Sequence, residues 1–103
     1  MKYVASWQYQ WNSSASENEA SIQRALQAYS KWTPVAGLTY HQFLGRLDNR
    51  GGFVVVETDD PLNLLDAPSK FGFFSDYDIY PVVDIVEAIR ANQEGVEFRK
   101  GLG

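Results

Sequence analysis

The stretch "LGRLDNRGGFVVVETDDP", Leu44 to Pro61, constrains this chain more than any other. Asp48, Asn49, Gly51 and Gly52 supply the unusual backbone angles that a tight reversal needs. The β-branched run Val54 to Val56 then favours extended backbone. With "LTYHQFLGRL" (Leu38 to Leu47) ahead of the turn, the pattern predicts an antiparallel hairpin, paired so that Leu47 lies opposite Gly52. Asp60 and Pro61 follow at once, a fitting N-cap and first helical residue. The middle of the chain is therefore read as strand, strand, helix.

The flanks extend that order. "KYVASWQY" (Lys2 to Tyr9) is an aromatic-rich strand, and "QWNSSAS" a polar loop. "SENE", Ser16 to Glu19, has capping-box spacing, with Ser16 as the expected N-cap. Ile22, Ala25, Leu26, Tyr29 and Trp32 then form one helical stripe that Pro34 and Gly37 end. Beyond Pro61, Leu62, Leu64 and Leu65 make a short helix limited by Pro68 and Gly72. "YDIYPVVDI" (Tyr77 to Ile85) reads as a fourth strand, and Pro81, which cannot donate to a ladder, favours an edge position or a bulge. From Asp84, as its cap, a last helix carries Ile85, Ile89 and Val96 and is weakened by Gly95. The order β-α-β-β-α-β-α is α+β: a ferredoxin-like β-α-β-β-α-β sandwich with an added C-terminal helix. Right-handed crossovers place both early helices on one face of a four-stranded antiparallel sheet.

With 103 residues the expectation is one domain, residues 1–103. A net charge of −4 without any basic run argues against nucleic acid and against an anionic membrane as partners. The absence of cysteine excludes disulfides, thiolate chemistry and cysteine-based metal sites, and a single histidine leaves no metal and no cofactor expected. "MKYVASWQYQWNSS" lacks the apolar core of a signal peptide, and no window nears the ~20 apolar residues of a membrane span. The expectation is a cytoplasmic protein.

The second face of the sheet needs explaining. In the predicted register Phe43, Gly45, Val54 and Val56 share one face; Tyr40, Gln42, Leu44, Arg46, Phe53, Val55 and Glu57 share the other. In the fourth strand Ile79, Pro81 and Val83 oppose Asp78, Tyr80, Val82 and Asp84. Both faces are apolar at their centres, whereas a sheet with one solvated face alternates cleanly. A homodimer would cover the second face, through Leu44, Val55 and Val82.

"MKYVASW", "FLGRLDNRGGFVVVETDDP" and "YDIYPVVDI" together resemble a small bacterial family catalogued only as a domain of unknown function. That family is similar in turn to the dimeric α+β barrel superfamily. The resemblance covers nearly the whole chain and is most specific over the hairpin, from Gly45 and Arg46 through Gly51, Gly52 and Phe53 to Glu57 and Asp59 to Pro61. It implies two ferredoxin-like sheets packed face to face. The superfamily includes small monooxygenases, isomerases, dechlorinating and heme-handling enzymes and ligand-sensing domains, so the resemblance implies no particular reaction. "QYQWNSSASE" is where the chain looks least typical.

Candidate ligand contacts are Trp7, Tyr40, His41, Gln42, Arg46, Glu57 and Tyr80. His41, the only histidine, falls by alternation with Phe43 and Val56; its expected neighbours Thr39, Thr58 and Val56 include no carboxylate. It is read as structural or as a pocket-rim contact. Arg46 and Glu57 are placed to pair diagonally across the hairpin, or to form a polar end to an apolar pocket for a small organic or aromatic ligand. Trp7 and Tyr9 share one face of the first strand, with Trp11 beyond as a lid or interface residue. Three functions follow: a small-ligand-binding or sensing homodimer, a cofactor-independent monooxygenase or isomerase using His41 or Tyr40, and a purely structural or partner-binding dimer. No grouping of nucleophile, base and orienting residue is visible, which ranks the enzyme below the binding protein.

Overall fold

The computed structural model describes residues 1–11 and 14–103. The elements are β1 (Lys2–Tyr9), α1 (Ala15–Lys31), β2 (Thr39–Gly45), β3 (Gly51–Glu57), a 3₁₀ turn (Pro61–Leu65), α2 (Asp66–Phe71), β4 (Ser75–Val82) and α3 (Ile85–Lys100). The four strands form one antiparallel sheet in the order β2-β3-β1-β4. This is the expected ferredoxin-like α+β arrangement, with β1 and β3 central. β4 is an edge, where the missing N–H of Pro81 costs least.

Local chemistry accounts for the boundaries. Asp48 Oδ1 accepts from the Arg50 amide at 3.1 Å, and Asn49 has a positive φ of 59°, which its short polar side chain tolerates. The turn closes with the Arg46 amide donating to the Gly51 carbonyl at 2.9 Å. β2 therefore ends at Gly45, and Gly45 lies opposite Gly52, where the sequence pattern had put Leu47. Asp60 Oδ1 caps the Leu62 amide at 3.0 Å as expected, but it opens a 3₁₀ turn before α2 begins. α1 starts two residues earlier than the capping box implied. Ser14 is its N-cap, accepting from the Glu17 amide at 3.2 Å, while Ser16 is already helical. β4 also starts earlier than expected, at Ser75, and ends at Val82. Asp84 holds the N-cap position of α3, though its side chain makes no capping bond. Part of the expected polar loop, Asn12 and Ser13, lies outside the described residues.

A bulge reorganises the second strand. The register shifts between Tyr40, opposite Val56, and Gln42, opposite Val55. His41 is the extra residue. Tyr40 is thereby turned to the face of Phe43 and Val54, away from Gln42 and Leu44. The shared face expected for Tyr40, Gln42 and Glu57 is thus corrected.

The face toward the helices carries Tyr3, Ala5, Val54 and Val56 as its buried centre, with Val56 only 2% exposed. Trp7, Leu38, Tyr40, Leu64 and Ile79 pack around it. α2 adds buried Phe71, and Phe74 follows. α1 leans over this layer without burying any residue. It is tied down at Trp32 and by the Arg24 guanidinium, which sits 4.9 Å from the centre of the Phe73 ring. The opposite face is open: Phe53 is 44% and Tyr80 55% exposed, and Leu44 is exposed beside them. Among the described residues no helix is long and apolar enough to cross a membrane.

Candidate functional site

Because α1 stands off the sheet, a cleft of about 340 Å³ opens between them. α1 contributes Ile22, Ala25, Leu26 and Tyr29 to one wall. The sheet contributes Trp7 and Tyr9 from β1, Tyr40 and Phe43 from β2, Val54 from β3, and Ser75 and Tyr77 from β4. Trp11, Trp32, Phe71 and Phe74 close the ends. Ten of the lining side chains are aromatic. Strand alternation produces this wall: residues 7 and 9, 75 and 77 point the same way because they are two apart, and the bulge at His41 adds Tyr40.

The rings brace one another. Tyr40 stacks on Phe43 with centroids 5.6 Å apart, and Trp7 meets Phe43 edge-on at 5.5 Å. Trp32 meets Tyr40 at 6.0 Å and Phe71 at 5.5 Å, both edge-on. At the other end Trp11 and Tyr9 pack on Phe74 at 5.5 and 5.2 Å. Each such pair adds about 0.5–1.5 kcal/mol beyond area burial, so the wall keeps its shape with one side open to solvent.

Two polar features matter. Burial pushes the Tyr40 phenol up to about 12, with the Asp66 carboxylate adding to the shift. Burial also pushes Tyr77 up to about 12, helped by Tyr40 and Tyr9. Both phenols are therefore neutral at physiological pH, each with an O–H to donate. Neither hydroxyl has a hydrogen-bond partner among the described residues. Secondly, Asp66 fixes the end of the cleft. Its Oδ2 accepts from Trp32 Nε1 at 3.0 Å and from the Val35 amide at 3.2 Å, while Oδ1 pairs with Lys70. Desolvation of this carboxylate is outweighed by those donors, and its pKa is lowered.

The sequence candidates divide between the two sides of the sheet. Trp7 and Tyr40 line the cleft. Gln42 and Glu57 lie on the open face, opposite Val55 and Thr39 respectively, and Tyr80 pairs there with Val4. His41 reaches the same side: its Nε2 lies 2.8 Å from Glu57 Oε1, both side chains being about half exposed. That overturns the expectation of no carboxylate beside His41. The two-residue difference at the turn would set His41 opposite Val56, and the bulge then turns it to the other face, beside Glu57. The His41 hydrogen bond is the largest influence on Glu57 and lowers its pKa. The expected Arg46–Glu57 pair does not form, because Arg46 pairs within its own turn with Asp48. His41 and Tyr40 thus face opposite sides of the sheet and cannot act together on one ligand. Sequence reading missed Tyr29, Trp32, Phe71 and Phe74 as cleft residues and Asp66 as their anchor; the aromatic excess was the available signal. Among the described residues no three of His, Asp and Glu converge as a metal site.

The fold and the cleft together define a ferredoxin-like α+β protein with an aromatic cleft between sheet and first helix. The chain belongs to the family described as Domain of unknown function (DUF3303), which matches residues 1–96. Among curated proteins no significant match was found.

Proposed function

We propose that this protein is a homodimer that binds a small, flat, largely apolar ligand in the cleft between the sheet and α1. The observation that carries this reading is the cleft itself: about 340 Å³, walled by aromatic rings and reached by solvent along one side. Binding sites for small molecules have this character, apolar walls with a few placed polar groups. Here the polar groups are the neutral phenols of Tyr40 and Tyr77, which suit a ligand carrying a hydrogen-bond acceptor. A pocket left open at the heart of a small domain forfeits packing that a closed core would have, and function is the natural reason to keep it.

The dimer rests on the open face. Leu44, Val55 and Val82, with Phe53 and Tyr80 beside them, form an apolar surface of the kind monomers avoid. Two copies packed through it would make a dimeric α+β barrel, with the ligand clefts outside it. Light scattering at micromolar concentration should return twice the chain mass, and Val55→Arg should lower it to one chain.

The ligand reading is tested by tryptophan fluorescence, since Trp7, Trp11 and Trp32 all line the cleft. Planar aromatic ketones and carboxamides should quench it saturably. Ala25→Trp, which fills the cleft from α1, should weaken that binding at least tenfold while leaving the protein folded. Absence of saturable quenching by any of these probes, or equal affinity in the variant, would overturn the proposal.

A further inference from the structure

The last helix has no place in its own chain. None of its residues is buried, and Ile85 and Phe98 are 71% and 70% exposed. The radius of gyration is 18.4 Å and the longest axis 64 Å, against about 13 Å expected for a compact domain of this length. The excess is α3 projecting from the body. Yet α3 is not a helix that water alone would keep. At 16 residues it is barely longer than the helices that are marginal in isolation even when rich in alanine. This one also contains Gly95, a poor helix former, and four β-branched residues. Its stripe of Ile85, Ile89 and Val96 is left uncovered by the chain's own body.

We infer that α3 docks on a second copy of this chain, each copy's α3 packing against its partner beside the open sheet face. This rests on the homodimer reading above and extends it by making α3 part of the interface. Three observations select a second copy as the occupant. First, one chain displays both halves of the contact, an uncovered apolar sheet and an uncovered apolar helix, and they do not meet within it. A two-fold axis satisfies both at once: sheet meets sheet across the axis, and each α3 lies against its partner at the margin of that contact. Second, the sheet face alone is small. Four strands about 4.8 Å apart and roughly 23 Å long project to about 440 Å², whereas a stable interface needs about 800 Å² from each partner. A helix of this length adds a strip about 24 Å by 10 Å, which brings the total to about 700 Å² before side-chain relief is counted. Third, the charges fit. Asp76 and Asp78 stand at one end of the open face, opposite Gln8 and Ser6. The basic residues of α3 gather in its last turn, at Arg99 and Lys100, while Glu87, Glu94 and Glu97 balance the helix as a whole and Glu97 pairs with Lys100.

The test is Ile89→Glu with Val96→Glu, made on the full chain. These residues contribute nothing to the chain's own core, so near-ultraviolet circular dichroism should stay unchanged. Sedimentation equilibrium should show the dimer dissociation constant raised at least about 100-fold, since a docked α3 would bury both carboxylates without partners. Far-ultraviolet helicity should fall together with dimerisation, because α3 melts when released. A wild-type dimer unaffected by the double substitution would overturn the inference and leave the homodimer standing. A wild-type monomer at high concentration would overturn the homodimer reading as well. A monomer with a radius of gyration near 13 Å by X-ray scattering would mean that α3 folds back on its own sheet, and would refute the exchange directly.

Discussion

Asp66 is the residue whose removal should be most informative, because one carboxylate joins the end of α1, the loop after it and α2. In Asp66→Ala the Trp32 indole N–H loses its acceptor while half-buried, and the Val35 amide loses a side-chain partner. A hydrogen bond to a charged group contributes about 1.5–3 kcal/mol. The Val35 and Lys70 contacts are exposed at one partner and screened, so they add little. The expected loss is about 2–3 kcal/mol, a large share of the 5–15 kcal/mol total typical of a small domain. Urea unfolding followed by tryptophan fluorescence measures it. Acid sensitivity is the second readout. The Asp66 pKa is lowered in the folded state, so its stabilisation is complete above the unfolded value of about 3.9 and is lost as pH falls below it. The variant should therefore show a shallower fall in stability below about pH 4 than the parent. A urea midpoint unchanged in Asp66→Ala, or an identical acid slope, would refute the assignment of Asp66 as the anchor of Trp32.

Ser14→Ala should cost about 0.5–2 kcal/mol in urea unfolding, and Ser16→Ala much less; the reverse order would put the α1 cap where the sequence pattern alone had placed it. In an absorbance titration at 295 nm Tyr40 and Tyr77 should ionise near 12, and Tyr40→Phe or Tyr77→Phe should each remove one late step. Because both folded values are raised, their contribution is intact below about pH 10 and is lost as pH rises beyond it, so alkaline unfolding should be delayed to higher pH in the double Phe variant. His41→Gln should fold, dimerise and leave probe affinity in the cleft within a factor of about two, since the imidazole and its Glu57 partner sit on the other side of the sheet; a tenfold loss would place His41 in the site.

Much of the fold was legible because its signals are local. Asp48, Asn49 and the paired glycines mark a reversal whatever surrounds them, Asp60 and Pro61 mark a helical start, and Pro81 can sit only where a donor is not needed. The errors arose where several residues were equally competent. Ser14 and Ser16 can both cap, and Glu17 and Glu19 both follow them, so spacing alone did not choose. Nothing in Tyr40-His41-Gln42 announces a bulge, since all three suit a strand. A one-residue slip exchanges faces, and the consequences for Tyr40, His41 and Glu57 all follow from that single event. The cleft was less legible still. Its lining comes from all four strands, two helices and their connections, and sequence alone could register the aromatic excess but not that α1 would stand away from the sheet.

The distribution of apolar residues ties these features together. The buried centre is small, four residues of the central strands with Phe71 and Phe74 beside them, and among the described residues no side chain is completely enclosed. A chain that is 45% hydrophobic has the material for more than that. What the core lacks is found in three other places: the walls of the cleft, the open face of the sheet and the stripe of α3. The first two are the two sides of the same strands. Trp7 lies toward the cleft and Val4 toward the open face, both on β1; Val54 and Val55 divide likewise on β3. A ligand on one side and a partner on the other would thus act on a single sheet, each stabilising the folded state by mass action, with about 2.7 kcal/mol available at a hundredfold excess over the dissociation constant. On the proposed reading, the folded chain alone is the least stable of its states. Thermal unfolding should accordingly shift upward both with protein concentration and with saturating aromatic probe, and Val55→Arg should abolish the first shift while sparing the second.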